Sequence, residues 1–432
     1  MSWDGASPLA SPRPRVHAAS LGHVASWGLV GSLTYAGCQW GMLVVLAKLG
    51  SAEMLGQLAL GFAVTAPVFL LTNLALRGVL TTDARVEHSL GDYLALRLVT
   101  TAVGLLVVAS IAGLGGYRWE TRAAILAVGV LKAIEAVSDI LHGVMQRHDR
   151  TDLIAGSVGS RGVLSVLALA AGVHLSGSIL WGLFLVAVMW ALVLATYDLP
   201  ESVRLLAGDV RPRWVRSDLL RLARLSIPLG VTAMFISFSW TIPRYFIERY
   251  RGEQELGAFV AMTYLVVIGE TIANALGQAA SPRLARYYAV SDGARVRRLL
   301  VGLIGLGVVL GGSGLVVTRA WGRELLTVLY RPEYAEHAEA LGPLMLAAGI
   351  GYVATFLYYA MTSARLFRVQ MPLFAAVAAV SLVACVALVP ARGVMGAAQA
   401  SVVTAVVNLL GATAVNLYAL RRLGAAEAPR WS

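Results

Sequence analysis

The sequence predicts an all-α membrane protein with about twelve transmembrane helices in two bundles of six. Its 432 residues are 58% hydrophobic and 14% charged, with a mean hydropathy of +0.72, whereas soluble domains are ~25% charged. Apolar runs of roughly 19 to 24 residues recur from Ser26 to Tyr418, and each can cross ~30 Å of hydrocarbon as a helix. The alternation typical of a membrane β-barrel is absent, which leaves helix as the state of every run.

The order of apolar and polar segments predicts the organisation of the chain. The start is basic and proline-containing, and the apolar run after it is too long for a signal-peptide core, so we expect an attached cytoplasmic tail. The predicted segments are a cytoplasmic tail (1–23), a first bundle (24–197), a cytoplasmic linker with an interfacial helix (198–224), a second bundle (225–420) and a cytoplasmic tail (421–432). The predicted spans are 26–47, 55–76, 93–114, 123–145, 153–173, 177–197, 225–243, 256–278, 299–320, 340–361, 369–390 and 394–418.

The basic residues predict the orientation of these spans. With the N-terminus inside, cytoplasmic segments carry 22 of the 35 Lys and Arg residues, and external segments carry 10. This is the positive-inside bias, and it places both termini in the cytoplasm. The net charge of +11 is then explained by topology and by attraction to anionic lipids, so no nucleic acid partner is expected.

The linker and an internal match suggest two related halves. Segment 215–225 mixes leucines with arginines and predicts an interfacial amphipathic helix, and a plain basic loop is the alternative. Shifting the second half by 201 residues aligns Leu55-Gly56 with Leu256-Gly257, and Asn73 with Asn274. Two similarly oriented halves with a site between them are a common transporter plan.

The fourth span carries a polar stripe. At 100° per residue its five polar side chains fall within an arc of about 80°. They are Lys132, Glu135, Asp139, His142 and Gln146. Each mid-span charge costs ~2.5–3.5 kcal/mol in lipid, so the stripe should face the protein interior, with Lys132 paired to Glu135 and Asp139 left over. The stripe is either a structural ion pair between helices or a site where Lys132 binds an anionic substrate and Glu135 or Asp139 takes up H⁺ or Na⁺.

The eighth span carries a second polar face. Thr263, Glu270, Asn274 and Gln278 lie within about 80° of one another on one side of the helix. They either line the same cavity or satisfy a neighbouring helix by hydrogen bonds. In the first half, Asn73 occupies the position equivalent to Asn274.

Arginines near the cytoplasmic side form a third candidate group. Arg97 in the third span and Arg161 in the fifth either snorkel to the cytoplasmic interface or point inward. If they point inward, they join Arg77 and Lys132 as a basic lining that suits phosphate by charge and, for arginine, by bidentate geometry.

Motifs for chemistry are absent from the sequence. It contains no Walker motif, no nucleophile elbow and no His/Cys metal spacing. Cys38 and Cys385 both fall inside apolar spans. We therefore predict no catalytic residues, no metal and no cofactor, and expect a transporter instead of an enzyme.

Short segments in a fixed order carry a resemblance to a known family. They are Glu53–Gln57, Leu76–Arg77 with Asp83, His142–Arg147, Ile227–Gly230, Ile242–Tyr245, Glu255–Gly257 and Leu329–Ala335. Over nearly its whole length the chain resembles the polysaccharide-transporter branch (Wzx-like flippases of O-antigen and capsular repeats) of the multidrug/oligosaccharidyl-lipid/polysaccharide flippase superfamily. The resemblance implies a V-shaped, MATE-like pair of six-helix bundles in the bacterial cytoplasmic membrane.

The resemblance also implies a function. Such a protein flips a polyprenyl-pyrophosphate-linked oligosaccharide by alternating access for lipopolysaccharide, capsule or exopolysaccharide synthesis, alongside glycosyltransferases and a polymerase. We expect Lys132, helped by Arg77, Arg97 or Arg161, to contact the pyrophosphate from the inner side, and Arg244 to receive it near the outer mouth. Asn73, Gln146, Asn274 and Gln278 would line the cavity.

Other functions remain open at this point. A cation-coupled multidrug exporter of the same superfamily would need carboxylates for cationic drugs, and the first three predicted spans contain none. A lipid II flippase shares the plan. Membrane O-antigen ligases and polymerases, as families, carry a large external loop. No predicted external connector of this chain exceeds ~20 residues, which argues against such an enzyme.

Overall fold

The computed structural model describes residues 21–82, 89–206, 211–364 and 366–427, and within these ranges every regular element is a helix. The α-helices are α1 (Leu21–Leu49), α2 (Ala52–Thr72), α3 (Leu76–Thr82), α4 (Leu90–Leu114), α5 (Trp119–Arg147), α6 (Thr151–Ser176), α7 (Ile179–Val193), α8 (Leu199–Leu206), α9 (Arg216–Arg251), α10 (Glu253–Ala289), α11 (Gly293–Leu329), α12 (Ala338–Ser363) and α13 (Phe367–Glu427). Most of the predicted N-terminal tail, the last five residues and Asp83 lie outside the described residues.

Nine helical stretches of the described chain are long and apolar enough to cross a membrane. The predicted spans outside this set differ in length, composition or geometry. Among the described residues the first contributes the shorter apolar helix Leu33–Leu49, and the fourth, α5, carries three charges near its middle. The last two predicted spans form the single element α13, which is broken at Gly393 (φ +54°, ψ −131°) into two arms. The prediction of an all-α polytopic membrane protein is confirmed.

Two bundles make up the molecule. The first bundle contains α1 to α7, and the second contains α9 to α13; α2 packs against both α9 and α10 across the boundary. A large buried core of leucine, valine, alanine and aromatic side chains runs continuously through this boundary.

The linker between the bundles is largely helical. After α7, a one-turn π-helix (Leu194–Asp198) leads directly into α8. The predicted interfacial helix of 215–225 is not a separate element, because α9 begins at Arg216 and continues to Arg251 with Pro228 inside it. Leu222 in its first turns is fully buried against Leu74, Tyr93 and other residues of the first bundle. Leu219 and Leu222 of this segment therefore pack in a core of the first bundle, whereas Leu220 and Leu225 are exposed.

One end of the molecule joins the bundles tightly, and we call it the crossing end because α2 and α10 begin and cross there. A Cβ on Gly56 would come closer than 3.0 Å to the Glu253 carbonyl oxygen, and one on Gly257 equally close to that of Ala52. At this crossing the Gln57 amide donates to Glu253 Oε2 at 3.0 Å, and the Thr121 hydroxyl donates to Glu253 Oε1.

Contacts between α1 and the end of α11 reinforce the crossing end. The Lys48 ammonium donates to the Val328 carbonyl oxygen at 2.9 Å, and the Trp40 indole donates to the Tyr330 hydroxyl at 3.2 Å. Burial raises the pKa of the Tyr330 phenol to about 12, so this hydroxyl stays neutral. The bundles are thus held together here by polar bonds as well as by close helix packing.

Candidate functional site

The polar stripe of α5 lies inside the molecule with access to solvent. The Lys132 ammonium donates to Glu135 Oε2 at 2.7 Å and lies 5.4 Å from the centre of the Phe62 ring of α2. The Lys132 side chain is 20% exposed and that of Glu135 is 35% exposed. The predicted pair therefore forms, and it remains partly accessible.

Asp139, one turn further along α5, forms ion pairs, whereas the spacing on α5 alone predicted no partner for it. Asp139 Oδ2 lies 3.0 Å from the Arg97 guanidinium of α4, and Oδ1 lies 3.5 Å from that of Arg77. Arg97 also donates to Asn73 Oδ1, and the Arg77 Nε donates to Gln146 Oε1 at 2.9 Å. The partners come from other helices, which explains why the stripe's own spacing could not reveal them.

Arg97 and Arg161 do not snorkel. The Arg97 side chain is fully buried and that of Arg161 is 5% exposed. Snorkelling needs a free path to the interface, and both guanidinium groups are held instead by polar partners inside the first bundle.

A second buried network surrounds Arg161. Its guanidinium lies 3.2 Å from His142 Nε2, 3.2 Å from Ser157 Oγ and 3.7 Å from Asp198 Oδ2. It also faces the Trp190 ring at 5.7 Å. Asp198 is fully buried at the end of the π-helix, a local geometry that often marks functional positions. Sequence reasoning missed Asp198 because it follows the predicted sixth span.

The polar face of α10 lies in the second bundle. The Asn274 amide donates to the Glu270 carbonyl oxygen at 3.0 Å, and the Tyr359 hydroxyl donates to Asn274 Oδ1 at 3.3 Å. The Gln278 side chain is exposed. Within the described part of the chain, the Glu270 carboxylate has neither an ion-pair partner nor a hydrogen-bond donor.

Arg244 of α9 is the cation that the second bundle contributes. Its Nε is buried without a hydrogen-bond partner, and no carboxylate of the described chain pairs with it. It lies within electrostatic range of Tyr264 on α10, and so does Lys132 of the first bundle. Tyr264, which the sequence did not single out, is therefore within electrostatic range of a cation from each bundle.

The cations occupy successive levels of the molecule. Gln146, which binds Arg77, lies 14 residues beyond Lys132 on α5, or about 21 Å along the axis toward the end opposite the crossing end. Arg244 lies near the crossing end of α9. Arg77, Lys132 and Arg244 can therefore attract an anion at different levels of the molecule.

This fold defines a multi-pass helical membrane protein. Residues 23–288 match the family described as "Polysaccharide biosynthesis protein", and the chain belongs to this family. The resemblance read from the sequence is confirmed.

Individual relatives agree in sequence and in fold. The chain is 24% identical over 333 residues to the capsular polysaccharide biosynthesis protein CapF of Staphylococcus aureus. The matched region covers 77% of this chain and 83% of CapF. Its fold resembles an inward-facing multidrug resistance transporter of the MATE family, with a TM-score of 0.72 at 12% identity, covering 91% of this chain and 95% of that one. It also resembles a transporter of the same superfamily from Pyrococcus furiosus that is described as having a binding pocket of reverse polarity. The TM-score is 0.64 at 11% identity, and the match covers 94% of this chain and 96% of that one.

Proposed function

We propose that this protein flips a polyprenyl-pyrophosphate-linked oligosaccharide across the bacterial cytoplasmic membrane for surface polysaccharide synthesis. The observation that carries the proposal is the pair of cations, Lys132 from the first bundle and Arg244 from the second, that both lie within electrostatic range of Tyr264. A pyrophosphate needs cations to leave water, while the polyprenyl tail can stay in lipid. Membership of the polysaccharide family supports the sugar as the cargo.

The arrangement suggests an order of events. The bundles are joined at the crossing end, which the basic-residue bias assigns to the outside, so substrate enters from the opposite, cytoplasmic end. Arg77, 33% exposed beside Gln146, meets the pyrophosphate first, and Lys132 exchanges Glu135 for it. Opening of the crossing end then passes the anion to Arg244. A cysteine introduced by Arg150→Cys checks this orientation: a membrane-impermeant thiol reagent should label it in inside-out vesicles and should not label it in intact cells.

Arg97 and Arg161 act indirectly in this scheme. Each is buried among partners of the first bundle, so neither is free to follow a moving substrate. Arg97 holds Asp139, and through it Arg77, at the cytoplasmic end. We therefore assign both arginines to positioning, and substrate contact to Arg77, Lys132 and Arg244.

The central test is transport in reconstituted vesicles. A fluorescent polyprenyl-pyrophosphate-linked N-acetylhexosamine in the inner leaflet becomes accessible to dithionite when it is flipped. We expect Lys132→Ala and Arg244→Ala each to lower this rate roughly 10- to 160-fold, because each removes one charged hydrogen bond worth ~1.5–3 kcal/mol. Arg323→Ala, at an exposed arginine of α11, should keep the wild-type rate. A wild-type rate equal to that of protein-free vesicles would refute the function.

Glu270 is the acid that we assign to a coupling ion, H⁺ or Na⁺. Lys132 neutralises Glu135 and two arginines neutralise Asp139, which leaves the Glu270 carboxylate without a basic partner among the described residues. An unpaired carboxylate within a span is costly unless it binds an ion or proton.

We expect an imposed ion gradient to accelerate flipping by the wild-type protein and to have no effect on Glu270→Gln. Glu324→Gln, at an exposed acid of α11, is the matched control and should respond like the wild type. Full gradient stimulation of Glu270→Gln would remove Glu270 from this role.

A further inference from the structure

The second bundle contains a cavity that the proposed transport path does not yet use. It lies between α9, α10, α12 and both arms of α13. Arg244 lines this second-bundle cavity, which therefore adjoins the position proposed for the phosphate.

The hydroxyl groups around the cavity present mainly acceptors. Thr263, Ser401 and Thr404 donate their protons to carbonyl oxygens four residues earlier in their own helices, at 2.8, 2.9 and 2.8 Å. A hydroxyl that donates to its own helix still has lone pairs that accept from a ligand. These hydroxyls can therefore accept hydrogen bonds from a ligand within an otherwise largely apolar lining.

Two further polar groups are available to a ligand. Within the described residues, the Asn408 amide and the Thr355 hydroxyl line the cavity without a hydrogen-bond partner. An amide supplies both donors and acceptors. Trp240 and Phe374 add flat apolar faces to the same lining.

We infer that the second-bundle cavity is the subsite for the first sugar of the lipid-linked substrate, with Arg244 binding the adjoining phosphate. This inference rests on the proposed function. A sugar offers hydroxyl donors to the acceptors of Thr263, Ser401 and Thr404 and has apolar ring faces for Trp240. A polyprenyl tail in the same place would bury Asn408 and Arg244 without hydrogen bonds, which is unfavourable.

The test compares two ligands on purified full-length protein. The probes are polyprenyl pyrophosphate and the same lipid carrying one N-acetylglucosamine, titrated by calorimetry in detergent. We expect the wild type to bind the sugar-carrying lipid about tenfold more tightly. Thr404→Val with Asn408→Leu should bring the two affinities within about twofold and leave the affinity for the bare lipid unchanged. Thr327→Val removes a hydroxyl with the same helix bond, 2.9 Å to the Arg323 carbonyl oxygen, outside the cavity and should keep the tenfold ratio.

Each outcome has a distinct meaning. Equal wild-type affinities for the two lipids, or a tenfold ratio retained in the double variant, overturn the sugar subsite and leave the flippase proposal standing. Failure of the wild type to bind either lipid refutes the proposed function itself. If the double variant does not fold, as judged by loss of bare-lipid binding, Thr355→Val is measured in its place with the same criterion.

Discussion

Asp139→Ala should lower the free energy of unfolding by about 3–5 kcal/mol, the cost of leaving a buried charge without its partner. Arg97 is fully buried and its salt bridge to Asp139 is 3.0 Å long. Removing the carboxylate leaves the guanidinium with the Asn73 side chain as a hydrogen-bond partner and without its ion-pair partner. Unfolding in a titration with SDS, followed by circular dichroism, measures the loss.

The reverse substitution should cost less, and the difference makes the prediction specific. Arg97→Met removes one of the two arginine partners of Asp139. That carboxylate is 32% exposed and keeps its second partner, Arg77, at 3.5 Å. The double variant Arg97→Met with Asp139→Ala removes both charges and should recover much of the stability lost in Asp139→Ala. Equal losses in both single variants, with no recovery in the double variant, would contradict a buried arginine as the source of the effect.

Gly56→Ala should separate the bundles at the crossing end. The new methyl group would lie closer than 3.0 Å to the Glu253 carbonyl oxygen, and this neighbour is backbone that cannot rotate away. Overpacking of this kind costs about 1–3 kcal/mol, enough to shift an equilibrium between joined and separated bundles by roughly 5- to 150-fold.

A cross-link measures that shift. Lys48→Cys and Val328→Cys replace residues whose side chain and carbonyl oxygen meet at 2.9 Å across the boundary, in a background without Cys38 and Cys385. A short bifunctional reagent should link them efficiently, and the yield should fall at least severalfold when Gly56→Ala is added. Gly302→Ala, where the added Cβ meets open space, is the control and should leave the yield unchanged. Unchanged cross-linking with Gly56→Ala would show that the crossing tolerates a side chain.

The fold and part of the site could be predicted from the sequence. Hydropathy alone indicates a polytopic helical protein, because lipid leaves helix as the solution for each apolar run. The Lys132–Glu135 pair follows from helical spacing, since both residues belong to one helix and lie one turn apart. Positions on one helix are the information that a single sequence carries best.

The sequence did not predict the contacts between helices. Spacing on α5 could not reveal that Arg97 from α4 reaches Asp139, nor that Asp198 beyond the predicted sixth span turns back to His142. Tyr264 has no local signal at all, because its proximity to both Lys132 and Arg244 depends on how two bundles pack. These relations depend on tertiary structure, and a hydropathy pattern contains no information about it.

The continuity of α9 has a mechanical consequence. Its first turns are anchored in one bundle by Leu222, while the rest of the same helix lines the cavity of the other bundle. The rocking of one half on the other that the proposed transport requires must therefore bend α9. Pro228 lies just past the anchor and, lacking an N–H, leaves the Arg224 carbonyl without its usual helical bond, so curvature at that point breaks no backbone link. The joint between the halves is thus built into a helix and does not require a flexible loop.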